Sequence, residues 1–259
     1  MDSFRVGDGA NIAFRQVKGD AHTLVFVHGA YIASSEWEPQ IAALGDKSHV
    51  LVDLRGHGRS ERKGQPYSVT QFADDVAQLI RHLGLKDVIL CGHSLGGMVA
   101  QQLAVVRPEL VSKVVLVDTS YSVRSTRLES FPTYETLPLF NLAPVSWQTE
   151  LFASQIGKHS AGAKRYVKAE IGKHAEDPAN YRAVWKAVTQ FSGYEQLSKI
   201  RCPTLIMVGE LNKQTHRQAQ VMNRRIHNSE LVFVQNAGHM LNWDNPERFN
   251  RALLGFTEQ

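Results

Sequence analysis

Cysteine is scarce in this chain: two occur among 259 residues, Cys91 and Cys202. Two thiols cannot brace a disulfide scaffold, and with no histidines at ligand spacing they cannot close a structural zinc site. Both fall at the edges of apolar, strand-like runs and read as small buried thiols. Long apolar runs are also missing. No stretch of about 18 uncharged apolar residues occurs, which excludes a membrane-spanning helix. The opening residues, Met1-Asp2-Ser3-Phe4-Arg5, lack the basic cluster and apolar core of a signal peptide, so a cytoplasmic protein is expected. Basic residues are dispersed, with no run of five, and the net charge of +4 marks a solvated surface rather than a nucleic-acid footprint. No internal repeat or low-complexity tract is present.

What the chain does have is enough apolar residue, 43%, for a sizeable core. Short runs rich in β-branched residues occur at 11–17, 23–27, 50–53, 88–91, 114–117, 204–208 and 231–234. The later ones are nearly continuously apolar, as suits strands buried on both faces of a parallel sheet. Helical patterns lie between them. Residues 69–83 place Phe72, Val76, Leu79, Ile80 and Leu83 at helical spacing, with Thr70 as a possible cap and Gly84 as a stop. Residues 94–106 run to Arg107-Pro108; 216–226 and 246–256 complete the set, the last capped by Asn245 with Pro246 behind it. Strands alternating with helices predict an α/β fold.

The rhythm breaks between about Thr119 and Leu197. Prolines punctuate the first half. The second half, with Trp147, Leu151, Phe152, Tyr166, Val167, Ile171, Tyr181, Val184, Trp185 and Val188, reads as amphipathic helices. A structureless loop of this length is improbable inside a compact domain, so a helical cap over the sheet edge is expected. The predicted organisation is a core of residues 1–118 and 198–259 with a helical insertion at 119–197.

Chemistry is concentrated in a few motifs. Gly92-His93-Ser94-Leu95-Gly96-Gly97 follows one strand and opens a helix. A serine turned sharply at such a corner needs small residues two positions either side, and Gly92 and Gly96 supply them. The helix start offers N–H groups to a developing oxyanion. His28-Gly29-Ala30-Tyr31 follows an earlier strand, so the N–H groups of Ala30 and Leu95 are the expected oxyanion donors. His239, in Ala237-Gly238-His239-Met240 after the last strand, is the expected base. Tyr31, His28, Trp147 and Trp185 are candidate substrate contacts; Phe131, Tyr134, Leu139 and Phe140 are further candidates for an apolar pocket wall. Asp53-Leu54-Arg55-Gly56-His57-Gly58-Arg59-Ser60 reads as a turn in which Asp53 and Arg55 hydrogen-bond locally.

Taken together, these marks resemble the α/β-hydrolase superfamily over essentially the whole chain: His28-Gly29, Arg55-Gly56-His57-Gly58-Arg59-Ser60, the serine corner, Gly209-Glu210 after a strand, and Gly238-His239 with Asn245-Pro246 beyond. The likeness is to the capped branch holding carboxylesterases and lactonases. It implies an eight-stranded, mostly parallel sheet flanked by helices, with a helical cap inserted after the sixth strand. It also implies cleavage of a small acyl substrate without metal or organic cofactor.

One departure stands out. The resemblance places the triad acid in a Gly-Glu-x-Asp pattern after the seventh strand, and here Asn212 occupies the position of that Asp. An amide can orient an imidazole but cannot balance its positive charge; in the serine-protease example of that exchange, kcat falls by about 10⁴. Asp118, ending the sixth strand, is the leading alternative, with Glu210 and an Asn212-assisted dyad also open. Two other functions remain open at this point. A cofactor-free dioxygenase would use His239 and Asp118 on a hydroxylated quinolone-type ring, and a ligand receptor would use the scaffold without catalysis.

Overall fold

The computed structural model describes residues 1–19, 22–64, 66–123 and 142–259. Its centre is an eight-stranded sheet, made of β1 (Asp2–Arg5), β2 (Asn11–Val17), β3 (Thr23–Val27), β4 (His49–Val52), β5 (Val88–His93), β6 (Lys113–Val117), β7 (Thr204–Gly209) and β8 (Ser229–Val234), in the order β1-β2-β4-β3-β5-β6-β7-β8. Strands β3 to β8 are mutually parallel, while β1 and β2 are joined antiparallel at one edge. The predicted mostly parallel sheet is therefore present. Short β1 was missed because Asp2-Ser3-Phe4-Arg5 has no apolar alternation to announce it.

Neighbouring residues of the central strands feed two separate cores. In β5, Val88 and Leu90 join one cluster, while Ile89 and Cys91 join the other on the opposite face. Both sets are buried, which explains the continuous rather than alternating apolar runs. Each fully buried aliphatic or aromatic side chain contributes about 1.5–3 kcal/mol relative to its exposed state. Helices α1 (Glu38–Leu44) and α9 (Pro246–Thr257) flank one face. There Trp37 lies between the rings of Phe26 and Phe249, at 4.9 and 6.2 Å. Helices α2 (Val69–His82) and α3 (Leu95–Val106) cover the other. Helix α3 is buried almost all round, and its residues are correspondingly apolar or small apart from Gln101 and Gln102.

Local signals mostly held. Gly84 takes φ +61° after α2, and Asn245 caps α9 by accepting from Arg248 N. The cap of α2 is Ser68, not Thr70; its side chain accepts from Gln71 N at 3.1 Å. Helix α2 begins at Val69, which puts Thr70 inside its first turn. Arg55 also differs from expectation. Its guanidinium reaches beyond its own turn to Asp75 of α2, at 2.7 and 2.8 Å, and to Asp8. Asp53 accepts from Arg59 N within the turn and from Ser34 N outside it.

Between β6 and β7 the described chain is helical: α4 (Val145–Ile156), α5 (Ala161–Gly172) and α6 (Pro178–Gln190). Their apolar sides, including Ala163, Val167, Ile171, Tyr181 and Val184, are buried. These helices attach to loops at the C-terminal ends of the strands. Tyr31 stacks on Tyr181 at 4.5 Å and donates to its main-chain oxygen, while Asn180 bonds Gly56 O and accepts from Tyr67. Tyr166 stacks on Trp243 at 4.8 Å. Beyond β7 lie α7 (Lys213–Arg225) and, ahead of α9, the short α8 (Leu241–Asp244). Cys91 and Cys202 are free thiols, and burial pushes both upward in pKa, Cys202 to about 11. No described helix is long and apolar enough to cross a membrane.

Candidate active site

Ser94 stands at the junction of β5 and α3 with φ +50° and ψ −113°, a conformation that L-residues enter only at a cost of about 1–3 kcal/mol. Its surroundings hold it there. Ser94 N donates to Val117 O at 2.9 Å, and Thr119 Oγ1 donates to Ser94 O at 2.6 Å. The flanking glycines are steric necessities. A Cβ on Gly92 would meet Gly96 O at 2.1 Å, and one on Gly96 would meet Val27 O at 2.1 Å. The sequence pattern thus reports a crossing of backbones too tight for any side chain.

Ser94 and His239 line one narrow cleft, with Gly29, Ala30, Ile32, His93, Phe152, Ile156 and Met240. Two helices of the insertion therefore matter differently. Phe152 and Ile156 of α4 face the cleft, while α6 packs behind through Tyr181 and Trp185. Leu95 is the first residue of α3, so its N–H has no partner within the helix and is available in principle to an oxyanion.

Hydrogen-bond chemistry separates the groups beside His239. Two atoms approach His239 Nδ1: Asp118 Oδ1 at 3.5 Å and Asn212 Nδ2 at 3.4 Å. Asn212 Nδ2 also donates to Asp118 Oδ1 at 2.8 Å, which fixes the amide with its nitrogen toward the carboxylate. A nitrogen so placed cannot accept a proton from Nδ1. With the proton on Nδ1, Asp118 Oδ1 is the acceptor it faces and the Nε2 lone pair is free; with the proton on Nε2, Nδ1 instead accepts from Asn212 Nδ2. Asp118 is itself secured: Gly209 N donates to its Oδ2 at 3.1 Å and its own N–H donates to Met207 O at 2.7 Å. Glu210, the other carboxylate considered, is exposed and accepts from Asn236 N instead.

Four expected substrate contacts are placed elsewhere. Tyr31 is fully buried under Tyr181. His28 is also fully buried, its Nδ1 2.7 Å from Gly29 O and its Nε2 accepting from Leu54 N at 2.9 Å. Neither presents a surface to a ligand; both hold loops in place. Trp147 is 76% exposed on α4. Trp185 reaches the cleft only through the ring of Phe152, 6.2 Å away edge-on. Phe131, Tyr134, Leu139 and Phe140 lie outside the described residues. Phe152 and Ile156 carried no distinguishing sequence signal, since which face of α4 meets Ser94 depends on packing.

A second cluster lies beside the site. The rings of His28, His57 and His174 approach within 5.0 and 5.6 Å, all buried. Burial lowers the pKa of all three, that of His174 to about 4; repulsion from the other two histidines adds to this at His57, and repulsion from Arg62 and then His28 adds to it at His174. His93, next to Ser94, is opposite: burial opposes its charge but neighbouring Glu36 more than offsets this, and its pKa is raised. Among the described residues no group of three or more His, Cys, Asp or Glu is arranged to hold a metal.

Comparison with known proteins gives this geometry a context. The chain matches the alpha/beta hydrolase family over residues 24–252. It is 32% identical to a Serratia proteamaculans protein assigned as carbamate hydrolase RutD, over 91% of both chains. It is 26% identical to 3-oxoadipate enol-lactonase 2 of Acinetobacter baylyi, over 91% of this chain and 88% of that one. Among solved structures it resembles Est816, described as an N-acyl homoserine lactone degrading enzyme, with TM-score 0.80 and 25% identity over 97% and 98% of the two chains. An esterase from Exiguobacterium antarcticum shares the fold with TM-score 0.88 at 23% identity, over 99% of each chain. With its sheet, its serine corner and its late histidine in that family's arrangement, this chain belongs to the alpha/beta hydrolase family.

Proposed function

We propose that this enzyme cleaves an ester, lactone or similar acyl bond of a small apolar substrate through a Ser94 acyl-enzyme. The observation that carries this reading is the strained serine sharing a cleft with a histidine whose Nδ1 faces a buried carboxylate. His239 Nε2 takes the Ser94 proton as the hydroxyl attacks the carbonyl carbon. The N–H groups of Ala30 and Leu95 receive the oxyanion. The leaving alcohol departs with the proton from His239, and a water activated by the same nitrogen releases the acid. Asp118 holds the tautomer and balances the imidazolium. Helices α4 to α6 serve as a cap, with Phe152 and Ile156 its apolar contribution to the cleft that holds the serine.

The named activities of the relatives support this class, since a carbamate hydrolase, an enol-lactonase and a homoserine-lactone degrading enzyme all act at an acyl carbon. The test is a series of p-nitrophenyl esters of rising chain length with wild type and Ser94→Ala. Turnover by wild type, with loss of about 10⁴-fold or more in the variant, is expected. Equal rates in both would remove Ser94 from the reaction. Oxygen uptake with a quinolone and no ester cleavage would favour the dioxygenase reading instead.

A further inference from the structure

Next to Ser94 in the wall of the cleft, His93 faces Glu36, a buried pair that the acyl-transfer cycle does not use. His93 and Glu36 are 1% and 0% exposed, and His93 Nδ1 stands 2.5 Å from Glu36 Oε1. Each reaches a different part of the site. His93 Nε2 lies 3.0 Å from the main-chain oxygen of His239, and the two rings are 4.6 Å apart. A carbonyl only accepts, so this nitrogen carries a hydrogen. Glu36 Oε2 accepts from Gly29 N at 3.0 Å, the amide just before Ala30. The main chain of Glu36 acts in the same direction. Its carbonyl accepts from Trp243 Nε1 at 2.7 Å and Asn242 Nδ2 at 3.1 Å, on the short helix α8 that follows His239.

With Nε2 committed as a donor, the pair holds one further proton, on His93 Nδ1 or on Glu36, since two bare lone pairs would repel at this distance. Stability does not explain such a pair. A buried ion pair is often no better than well-packed apolar side chains of the same volume. What it supplies is position, because its ends are tied to the loop carrying Ala30, the corner carrying Ser94 and the loop carrying His239.

We propose that Glu36 and His93 are positioning residues, a brace that keeps the oxyanion loop, the serine corner and the base loop in one register without touching substrate. The inference rests on the acyl-transfer reading above. It predicts a defect in the chemical step and little in binding, since a displacement of about 1 Å between reacting groups costs on the order of 10²-fold in rate.

The test compares Glu36→Ala, Glu36→Gln and His93→Leu, with kcat and KM for a short p-nitrophenyl ester expressed per phosphonate-titratable serine. Gln preserves the brace: its oxygen can accept from Gly29 and its NH₂ can donate to His93 Nδ1, while Nε2 still donates to His239. Glu36→Ala and His93→Leu are expected to lose about 10- to 100-fold in kcat with KM within about threefold. Glu36→Gln should recover to within about fivefold of wild type, and the Glu36→Ala/His93→Leu double variant should be no worse than either single one. In wild type the proton between His93 and Glu36 should appear as a far-downfield, slowly exchanging NMR resonance, a readout that needs no variant to fold. Wild-type kcat per site in both truncated variants, a Glu36→Gln as poor as Glu36→Ala, or the absence of that resonance overturns the brace and leaves the acyl-transfer reading standing. A folded wild type with neither turnover nor a titratable serine overturns the acyl-transfer reading itself.

Discussion

Asn212 gives one side-chain N–H to Asp118 at 2.8 Å, and the same nitrogen stands 3.4 Å from His239 Nδ1, which Asp118 Oδ1 approaches at 3.5 Å. The amide therefore supports the carboxylate at the end of the neighbouring strand. Asp118→Asn removes the charge that balances the imidazolium and should lower kcat by about 10³- to 10⁴-fold with KM little changed. Steady-state kinetics with a p-nitrophenyl ester decide this.

Asn212→Asp is expected to harm rather than help. It would set two carboxylates at hydrogen-bond distance, and like charges so close cannot both ionise at their ordinary pKa. The kcat should not rise at neutral pH, and its pH profile should gain a new titration. A kcat above wild type, paired with an indifferent Asp118→Asn, would move the acid role to position 212.

The serine corner stores strain that a glycine would release. Ser94→Gly abolishes activity but should raise stability by about 1 kcal/mol after the entropic cost of glycine. In a protein of this size that is a gain of about 2–4 °C in Tm, measurable by calorimetry.

Gly92→Ala and Gly96→Ala should fail for the opposite reason. The added methyl group meets main-chain oxygens at 2.1 Å, which no rotamer can avoid. A loss of at least about 3 kcal/mol is expected, read as low soluble yield and a lowered Tm.

The histidine cluster predicts how stability depends on acid. The pKa values of His28, His57 and His174 are depressed in the folded state, so unfolding takes up protons. Their contribution is fully present above the unfolded value of about 6.5 and is lost as pH falls toward the folded value, about 4 for His174. His93, with its raised pKa, acts with the opposite sign, its contribution fading as pH rises through the folded value. Because His174 and Tyr181 lie between β6 and β7 while His57 and Tyr31 lie in the loops after β4 and β3, acid should loosen that junction first. His174→Gln should flatten the fall in Tm between about pH 6.5 and about pH 4; an unchanged slope would remove the cluster from the account.

Much of this was legible in the sequence because steric rules are local. Gly92, Ser94 and Gly96 announce a corner, and uninterrupted apolar runs announce strands buried on both faces. His239 was legible from its place in the chain order. Relationships that depend on tertiary packing were not. Glu36 lies in an ordinary turn, and only the fold brings it against His93. Tyr31 is turned into the interior by the helices that dock on it, and His28 by its bonds to Gly29 and Leu54. Ser68 displaced Thr70 as a cap because hydroxyls two positions apart are equally able and the first helical residue decides between them.

The central claim, that Ser94 is the nucleophile, is tested most directly by intact-mass and peptide mass spectrometry after exposure to a fluorophosphonate. The account predicts one adduct, mapped to Ser94, absent in Ser94→Ala and formed far more slowly in His239→Ala. A folded wild-type protein that stays unmodified, or an adduct on another residue that survives Ser94→Ala, would contradict it.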